Sequence, residues 1–265
     1  MGELVFIGLG LHDERDLTVR AREEARSCDA LFAEFYTSRL TGSSVKQLET
    51  VLHKEIRVLG RDEVEKGDLV LEAATRERVG FLAAGDAMAA TTHVDLRLRA
   101  HRLGIPTRIV PGVSALTAAA GALGLQHYKF GRTTTLPLRE AGFAPTSPYE
   151  VVVANLEVGL HTLALLDLKE DRLMAPWEGL EYLLETEEHV GEGTLGPETL
   201  ACIAGSLGSS NPTPRADRVE ALLTADPGPP LHVIVIPGKL HFMEVEALVA
   251  FAGLPESVAE VLKAT

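Results

Sequence analysis

Short apolar runs alternate with helical patterns along the first half of the chain, and this alternation constrains the fold more than any other feature. The runs are nearly continuously apolar, which is typical of strands buried on both faces of a sheet. The segments between them are amphipathic and helical in period. The pattern predicts a parallel sheet covered by helices. We predict strands at 3–9, 30–35, 55–60, 78–86 and 106–114, and helices at 18–30, 45–54, 62–77, 91–104 and 115–126.

The pattern changes after about residue 125, where strands and helices no longer alternate in the same order. We therefore predict an α/β protein of two domains, residues 1–115 with a mostly parallel sheet and residues 116–265 with a mixed sheet. In the second half we predict strands at 130–138, 160–168, 198–208 and 231–238, and helices at 149–159, 177–189, 217–225 and 242–253, the last closing the chain.

Composition excludes some classes of partner and location. The net charge is −13 and the isoelectric point about 5.2, which disfavours nucleic acid as the main partner because phosphate binding needs clustered Lys and Arg. Cys28 and Cys202 are far apart and have no metal-like spacing, so we expect two buried, reduced thiols. With no long apolar segment and no basic leader, we expect a cytoplasmic protein without a membrane span.

The stretch "FIGLGLHDERD" places two glycines directly after the first predicted strand. A dinucleotide fingerprint needs a third glycine, and that position is Asp13. Glu34, 24 residues after Gly10, resembles an acid that binds a ribose. Three interpretations stay open here: an altered dinucleotide loop, a loop for another ligand, and a tight turn without a ligand.

Two later loops repeat this arrangement of a strand end followed by glycine and small polar residues. They are "AGDAM" around Asp86 and "PGVS" ending at Ser114. Each side chain also has a structural interpretation, Asp86 as a turn residue and Ser114 as a helix N-cap. Because carboxyl ends of parallel strands meet at one edge of a sheet, three such loops predict a shared ligand crevice.

Other catalytic patterns are not found in the sequence. None of the nine histidines has metal-ligand spacing with a carboxylate, and there is no Gly-x-Ser-x-Gly elbow. We therefore predict neither a metal centre nor a covalent mechanism, and we expect His161, beside a buried strand, to have a structural role.

The glycine turn, the Gly85-Asp86 turn and "PGVSALTAAA" resemble the tetrapyrrole methylase superfamily. The segments "FIGLGLHDERDLTV", "AEFYTS", "ATTHVDLRLRA", "YKFGRT", "PTSPYE", "GLHTLALLDLK", "GSSNPTPRA" and "PGKLHFMEVEAL" resemble, within it, the diphthine synthase family along nearly the whole chain. The resemblance implies S-adenosylmethionine bound in a cleft between two α/β domains. The chain departs from the family at Ala87, where proline is usual, and at Pro111-Gly112, which is closer to cobalamin-pathway relatives.

The resemblance also implies the site, the reaction and the assembly. Elongation factor 2 would be the substrate, methylated on the amino group of a histidine carrying a 3-amino-3-carboxypropyl group, and the enzyme would be a homodimer. A general base is not identified. Its candidates are His12, Glu34, Tyr36, Asp86 and His93. The implied cofactor contacts are Leu11, Asp86, Ala89, Ser114, Ala115, Leu166, Leu207 and His232.

Two other functions stay open on the sequence. A tetrapyrrole C-methyltransferase of the cobalamin or sirohaem route would share the fold, although its polycarboxylate substrate favours a site with several arginines. An NAD-dependent enzyme would use the glycine turn, but the missing third glycine disfavours it.

Overall fold

The computed structural model of the chain describes residues 2–139, 144–169, 172–191 and 193–264. The chain divides into two compact units, Met1–Ala115 and Leu116–Thr265. None of the described helices has the length and apolar character needed to cross a membrane.

The first unit is built on a five-stranded sheet in the order β3-β2-β4-β1-β5, and every neighbouring pair is parallel. The predicted parallel, helix-covered sheet is confirmed. Its strands are β1 (Glu3–Gly8), β2 (Ala30–Glu34), β3 (Ile56–Leu59), β4 (Arg78–Ala83) and β5 (Thr107–Val110). Its helices are α1 (Val19–Ser27), α2 (Val45–Leu52), α3 (Arg61–Lys66), α4 (Asp68–Ala74) and α5 (His93–Arg102).

Both faces of this sheet are buried, which explains why its strands are apolar without alternation. Along β1, Leu4 and Phe6 belong to one hydrophobic core, while Val5 and Ile7 belong to the other. All four side chains are fully buried. A strand covered by helices on both faces needs apolar residues at every position.

The second unit is built on a mixed five-stranded sheet in the order β11-β10-β12-β7-β6, as expected. Only β6 and β7 are parallel, and the other pairs are antiparallel. The strands are β6 (Thr134–Leu136), β7 (Thr162–Leu166), β10 (Leu200–Gly205), β11 (Thr213–Arg218) and β12 (His232–Ile236), with a separate hairpin of β8 (Leu168–Lys169) and β9 (Arg172–Leu173). The helices are α6 (Ala115–Leu123), α7 (Ser147–Glu157), α8 (Pro176–Val190), α9 (Val219–Leu222), α10 (Phe242–Ala252) and α11 (Glu256–Ala264).

Two predictions for the second half were wrong, and the strand β11 was not predicted. Residues 217 and 218 end the edge strand β11 rather than begin a helix, so α9 is a single turn. The sequence of β11, "TPRADR", lacks an apolar run because an edge strand needs few buried side chains. The helix at 242–253 does not close the chain, because α11 follows Pro255.

A buried carboxylate, Glu244 at the start of α10, joins three segments of the second unit. It is 1% exposed and accepts hydrogen bonds from the backbone N–H groups of Gln126 (2.9 Å) and His241 (2.8 Å), from His161 Nε2 (3.1 Å) and from Lys129. Burial acts to raise the pKa of Glu244, but these donors outweigh it and lower the pKa to about 2. The carboxylate therefore stabilises the fold in its ionised form.

We predict that this carboxylate sets part of the acid sensitivity of the protein. Because the pKa of Glu244 is lower in the folded chain, its stabilisation is present above the unfolded-state value of 4.5 and is lost as pH falls towards about 2. Glu244→Gln should lose about 3 kcal/mol at neutral pH, and its unfolding free energy should depend less on pH in that window. Urea unfolding at several pH values measures both effects.

The exposed neighbour Glu246, on the same helix, supplies the control. Glu246→Gln should keep both the wild-type stability and its decrease in acid, since exposed charges contribute little. An acid profile of Glu244→Gln that superimposes on the wild type would contradict the assignment.

Candidate functional site

The three glycine-containing loops of the first unit lie together at the carboxyl edge of its sheet. The strand β1 lies between β4 and β5, and all three run in the same direction. Beyond the ends of β1 and β4, Gly10 and Gly85 exchange backbone hydrogen bonds, with N–H to O distances of 3.2 Å from Gly10 and 2.6 Å from Gly85. Both have positive φ, +87° and +70°. Beyond β1 and β4, the first two loops are therefore still joined by backbone pairing, through a single bridge between Gly10 and Gly85.

The third loop approaches the first two so closely that only glycine fits at Gly8. A Cβ atom on Gly8 would lie 2.6 Å from both Gly112 Cα and Gly85 O. These neighbours are backbone atoms, which cannot rotate away. The close approach at Gly8 therefore fixes how near the three loops are to each other.

The carboxylate of Asp86 ties the second loop to the third. Its Oδ1 accepts the Met88 N–H (2.9 Å), and its Oδ2 accepts the Gly112 N–H (3.0 Å). The bond to Met88 is the turn-residue role, and the bond to Gly112 adds a link between loops that the sequence does not reveal. Ala89 also belongs to this turn, since its N–H donates to Asp86 O (3.1 Å). Asp86 and Ala89 are both half-buried.

A second carboxylate, Asp16, closes the first loop, and sequence reasoning missed it. Its Oδ2 accepts the N–H groups of Leu11 (3.1 Å) and His12 (2.7 Å). The Cβ of Asp16 lies so near Gly10 that a side chain at Gly10 would overlap it. Together, Asp16 and Asp86 occupy four backbone N–H groups of the three loops.

The remaining residues that the resemblance assigns in the first unit border these loops. Leu11 is half-buried directly after Gly10. Ser114 and Ala115 follow the Pro111-Gly112 turn, and both are half-buried where α6 begins. The structure thus brings five assigned positions to one edge of the sheet: Leu11, Asp86, Ala89, Ser114 and Ala115.

The three assigned residues of the second unit share one edge of the second sheet. His232 begins β12 and pairs with Gly205, the last residue of β10. Leu207 follows β10 by two residues, and Leu166 ends β7, whose Leu165 pairs with Val233. Because β12 is antiparallel to both neighbours, its first residue lies at the edge where β7 and β10 end.

The ring of His232 is held in one tautomer. Its Nε2 lies 3.2 Å from Pro227 O and 3.1 Å from Gly228 O, so this nitrogen carries the proton. Burial lowers the pKa of His232, although both carbonyls act in the opposite direction. The ring is therefore neutral near pH 7 and has Nδ1 as an acceptor.

The five candidates for a general base have different environments, and two of them are inaccessible. Glu34 is 0% exposed and His93 is 1% exposed. Burial, followed by the nearby Glu34 carboxylate, raises the pKa of Tyr36 to about 12, so its phenol stays protonated. The His12 ring lies against Gly42 with Nδ1 3.3 Å from Thr41 Oγ1.

The candidate Asp86 already accepts two backbone donors. The carboxylate at the third-glycine position, Asp13, is buried and pairs with Arg15, whose hydrogen bonds lower the pKa of Asp13. Of the five candidates, Glu34 and His93 are thus inaccessible, Tyr36 keeps its proton, and Asp86 is engaged by two backbone donors.

Several residues expected to be structural are so. Cys28 and Cys202 are free, buried thiols, and burial raises the pKa of both, to about 11 for Cys28. His161 is fully buried, with Nδ1 accepting the Gly238 N–H (2.9 Å) and Nε2 facing Glu244. Among the residues that the structure describes, no three His, Cys, Asp or Glu side chains are grouped to hold a metal ion.

Known proteins resemble the chain in both sequence and structure. The family sequence model of the tetrapyrrole (corrin/porphyrin) methylases matches residues 3–204 of this chain. A diphthine synthase of Methanothermobacter thermautotrophicus is 44% identical over 97% of this chain and 98% of that protein. One of Methanosarcina barkeri is 45% identical over 95% and 97%. A crystal structure of diphthine synthase superimposes with a TM-score of 0.88 at 35% identity, covering 97% of this chain and 98% of the other.

We predict that Gly8→Ala separates the loops, because its Cβ would overlap two backbone groups. The variant should lose about 1–3 kcal/mol of unfolding free energy, as overpacked sites do. Urea unfolding followed by circular dichroism measures the loss.

Gly121→Ala, inside α6, is the matched control, because a Cβ there meets nothing within 4 Å and φ is not positive. It should be unchanged or gain about 0.5–1 kcal/mol, since alanine favours helix over glycine. Equal stability of Gly8→Ala and wild type would contradict the close approach.

Proposed function

Since the chain belongs to the tetrapyrrole methylase family, and within it to the diphthine synthases, it is a methyltransferase, and we propose that S-adenosylmethionine is its methyl donor. We propose further that its substrate is elongation factor 2, methylated on the amino group of a histidine that carries a 3-amino-3-carboxypropyl group. The product would be diphthine, an intermediate of diphthamide biosynthesis.

One observation in the first unit carries the choice of cofactor. The loop N–H groups of Leu11, His12, Met88 and Gly112 all donate to the carboxylates of Asp16 and Asp86. A pyrophosphate needs loop N–H groups that are unpaired, and it is repelled by carboxylates at the same place. These loops therefore suit a cofactor that has no phosphate and carries positive charge, which describes S-adenosylmethionine and argues against NAD.

The chain offers suitable groups for the other parts of this cofactor. Each oxygen of Asp86 accepts one N–H and keeps a further acceptor position, which fits a ribose hydroxyl. A side chain on Gly85 would meet nothing within 4 Å, so the turn is open on that face. We propose that Leu11, Ala89, Ser114 and Ala115 border the cofactor beside Asp86, and that Leu166, Leu207 and the acceptor Nδ1 of His232 contact it from the second unit.

The bound cofactor supplies an electrophilic methyl group on a sulfonium. The residues of the chain must bind and orient the donor and an amine, and must exclude water. An aliphatic amine is mostly protonated at pH 7, and burial beside apolar groups favours its neutral form. Because Glu34 and His93 are buried and Tyr36 stays protonated, we propose that desolvation rather than a dedicated base supplies the neutral amine.

The acidic surface and the exposed apolar residues bear on the partners. The net charge of −13 suits a substrate with a basic segment around the modified histidine.

On α10, Phe242, Met243 and Phe251 are each more than half exposed (59%, 58% and 63%). This exposed apolar surface supports the homodimer that the resemblance implies. A monomer in sedimentation velocity would overturn the dimer. An elongation factor as substrate would place the protein in the cytoplasm.

We predict that the protein methylates elongation factor 2 bearing the 3-amino-3-carboxypropyl histidine. Intact mass should rise in steps of one methyl group when S-adenosylmethionine is present, and a factor with an unmodified histidine should not change. A precorrin or uroporphyrinogen substrate, offered in parallel, should stay unmethylated. Methylation of the tetrapyrrole alone would contradict the proposal and favour the small-molecule alternative.

The cofactor is tested separately by thermal unfolding. S-adenosylmethionine and S-adenosylhomocysteine should raise the melting temperature, and NAD should not, because only a ligand of the folded state stabilises it. Stabilisation by NAD alone would overturn the choice of cofactor.

A further inference from the structure

A buried pair of titratable side chains, Glu34 and His93, lies beside the Asp86 turn and has no part in the proposed chemistry. Glu34 ends β2 and His93 begins α5, and both are almost completely buried. The His93 ring packs edge-on against Phe81, with ring centroids 5.0 Å apart. The His93 Nε2 lies 3.5 Å from Glu34 Oε1.

The environment of Nδ1 shows that this nitrogen carries a proton. It lies 2.7 Å from Ala87 O, the carbonyl of the residue that follows Asp86. A carbonyl only accepts hydrogen bonds, so Nδ1 must be the donor. The ring is thereby attached to the turn that we propose for cofactor binding.

The environment of His93 Nε2 favours a second proton on the ring. Both carboxyl oxygens of Glu34 act as acceptors, Oε2 for the N–H groups of Tyr36 (3.1 Å) and Thr37 (3.0 Å) and Oε1 for the Thr37 hydroxyl. Without a proton, the lone pair of His93 Nε2 would face this carboxylate in a buried place, and the described structure gives Nε2 no hydrogen-bond partner. Two buried acceptors facing each other are costly, and a proton on Nε2 converts them into an ion pair.

We propose that His93 is a positioning residue, an imidazolium held between Glu34 and the Ala87 carbonyl that fixes the Asp86 turn. The role in cofactor binding rests on the proposed function, whereas the state of the ring does not. No other salt bridge to Glu34 is found among the described residues. The Tyr36 phenol, two residues after Glu34, feels the charge of the Glu34 carboxylate, of the Arg61 guanidinium 5.0 Å from the centre of its ring, and of Glu65 on α3.

The second unit contains a contrasting pair of the same two residue types. His161 Nε2 lies 3.1 Å from Glu244 Oε1, but its Nδ1 faces a donor, the Gly238 N–H at 2.9 Å. One proton on Nε2 therefore satisfies the whole ring, and burial lowers the pKa of His161. The two rings differ in protonation because of Nδ1, which faces a donor at His161 and an acceptor at His93.

The first test measures the protonation of both rings in the free protein. In ¹⁵N-histidine NMR at neutral pH, with His93 identified by its loss in His93→Gln, both His93 nitrogens should be protonated, and His161 should carry a proton only on Nε2. Glu34→Gln should make His93 neutral, because the new amide can donate to Nε2. Glu244→Gln, the matched control, should leave His161 unchanged. A singly protonated His93 in the wild type, or a doubly protonated one in Glu34→Gln, overturns the proposal.

The second test measures the effect on the cofactor site. As rising pH removes the second proton from His93, the dissociation constant of S-adenosylhomocysteine, measured by calorimetry, should increase about tenfold, a usual size for coupled equilibria. In Glu34→Gln it should not change over the same range. If the wild-type dissociation constant does not change over the pH range in which His93 loses its second proton, the positioning role is overturned, even where NMR shows the doubly protonated ring. Absence of binding to the wild type at any pH counts against the proposed function instead, since the ring state is measured without ligand.

Discussion

The close packing of backbone at the carboxyl edge of the first sheet is the constraint on which the proposed site depends. Gly8, Gly85 and Gly112 come from three strand ends, and a side chain at Gly8 would overlap the other two. At this close approach, the loops are tied by the backbone bridge between Gly10 and Gly85 and by the hydrogen bond from the Gly112 N–H to the Asp86 carboxylate. The position of Asp86 is thus set by the sheet and not by the flexibility of a loop.

Carboxylates rather than a ligand satisfy the N–H groups of these loops, and this distinguishes the site from a dinucleotide-binding turn. Asp16 and Asp86 each accept two of them. In a phosphate-binding loop the same groups would be left for the anion. Glycines follow the strand ends both in this chain and in a phosphate-binding loop. In this chain they allow one backbone to approach another closely, and the carboxylates of Asp16 and Asp86 place negative charge at the loops.

Much of the first unit follows from its sequence, because strands buried on both faces must be apolar at each position, as Leu4 to Ile7 are. The edge strand β11 and the helix α11 do not follow so easily, since few of their residues are buried and charged residues interrupt the pattern. The positions of Asp86, Gly10 and Gly112 at strand ends predict that they meet. The role of Asp16 is not predictable in this way, because it depends on a turn that folds back to Leu11 and His12. Likewise, Glu34 and His93 are conspicuous only as ionisable residues, and their pairing depends on the order of β2 and β4 in the sheet.

The central claim, that the three loops form one cofactor site, is tested most directly by amide hydrogen exchange with and without saturating S-adenosylhomocysteine. Binding to one site predicts slower exchange at residues 9–12, 85–89 and 112–115 together, because ordering one loop restricts the other two. The short segment 61–66, which follows the edge strand β3, should not change. Slower exchange in only one of the three loops, or in none of them at saturation, would contradict a shared site.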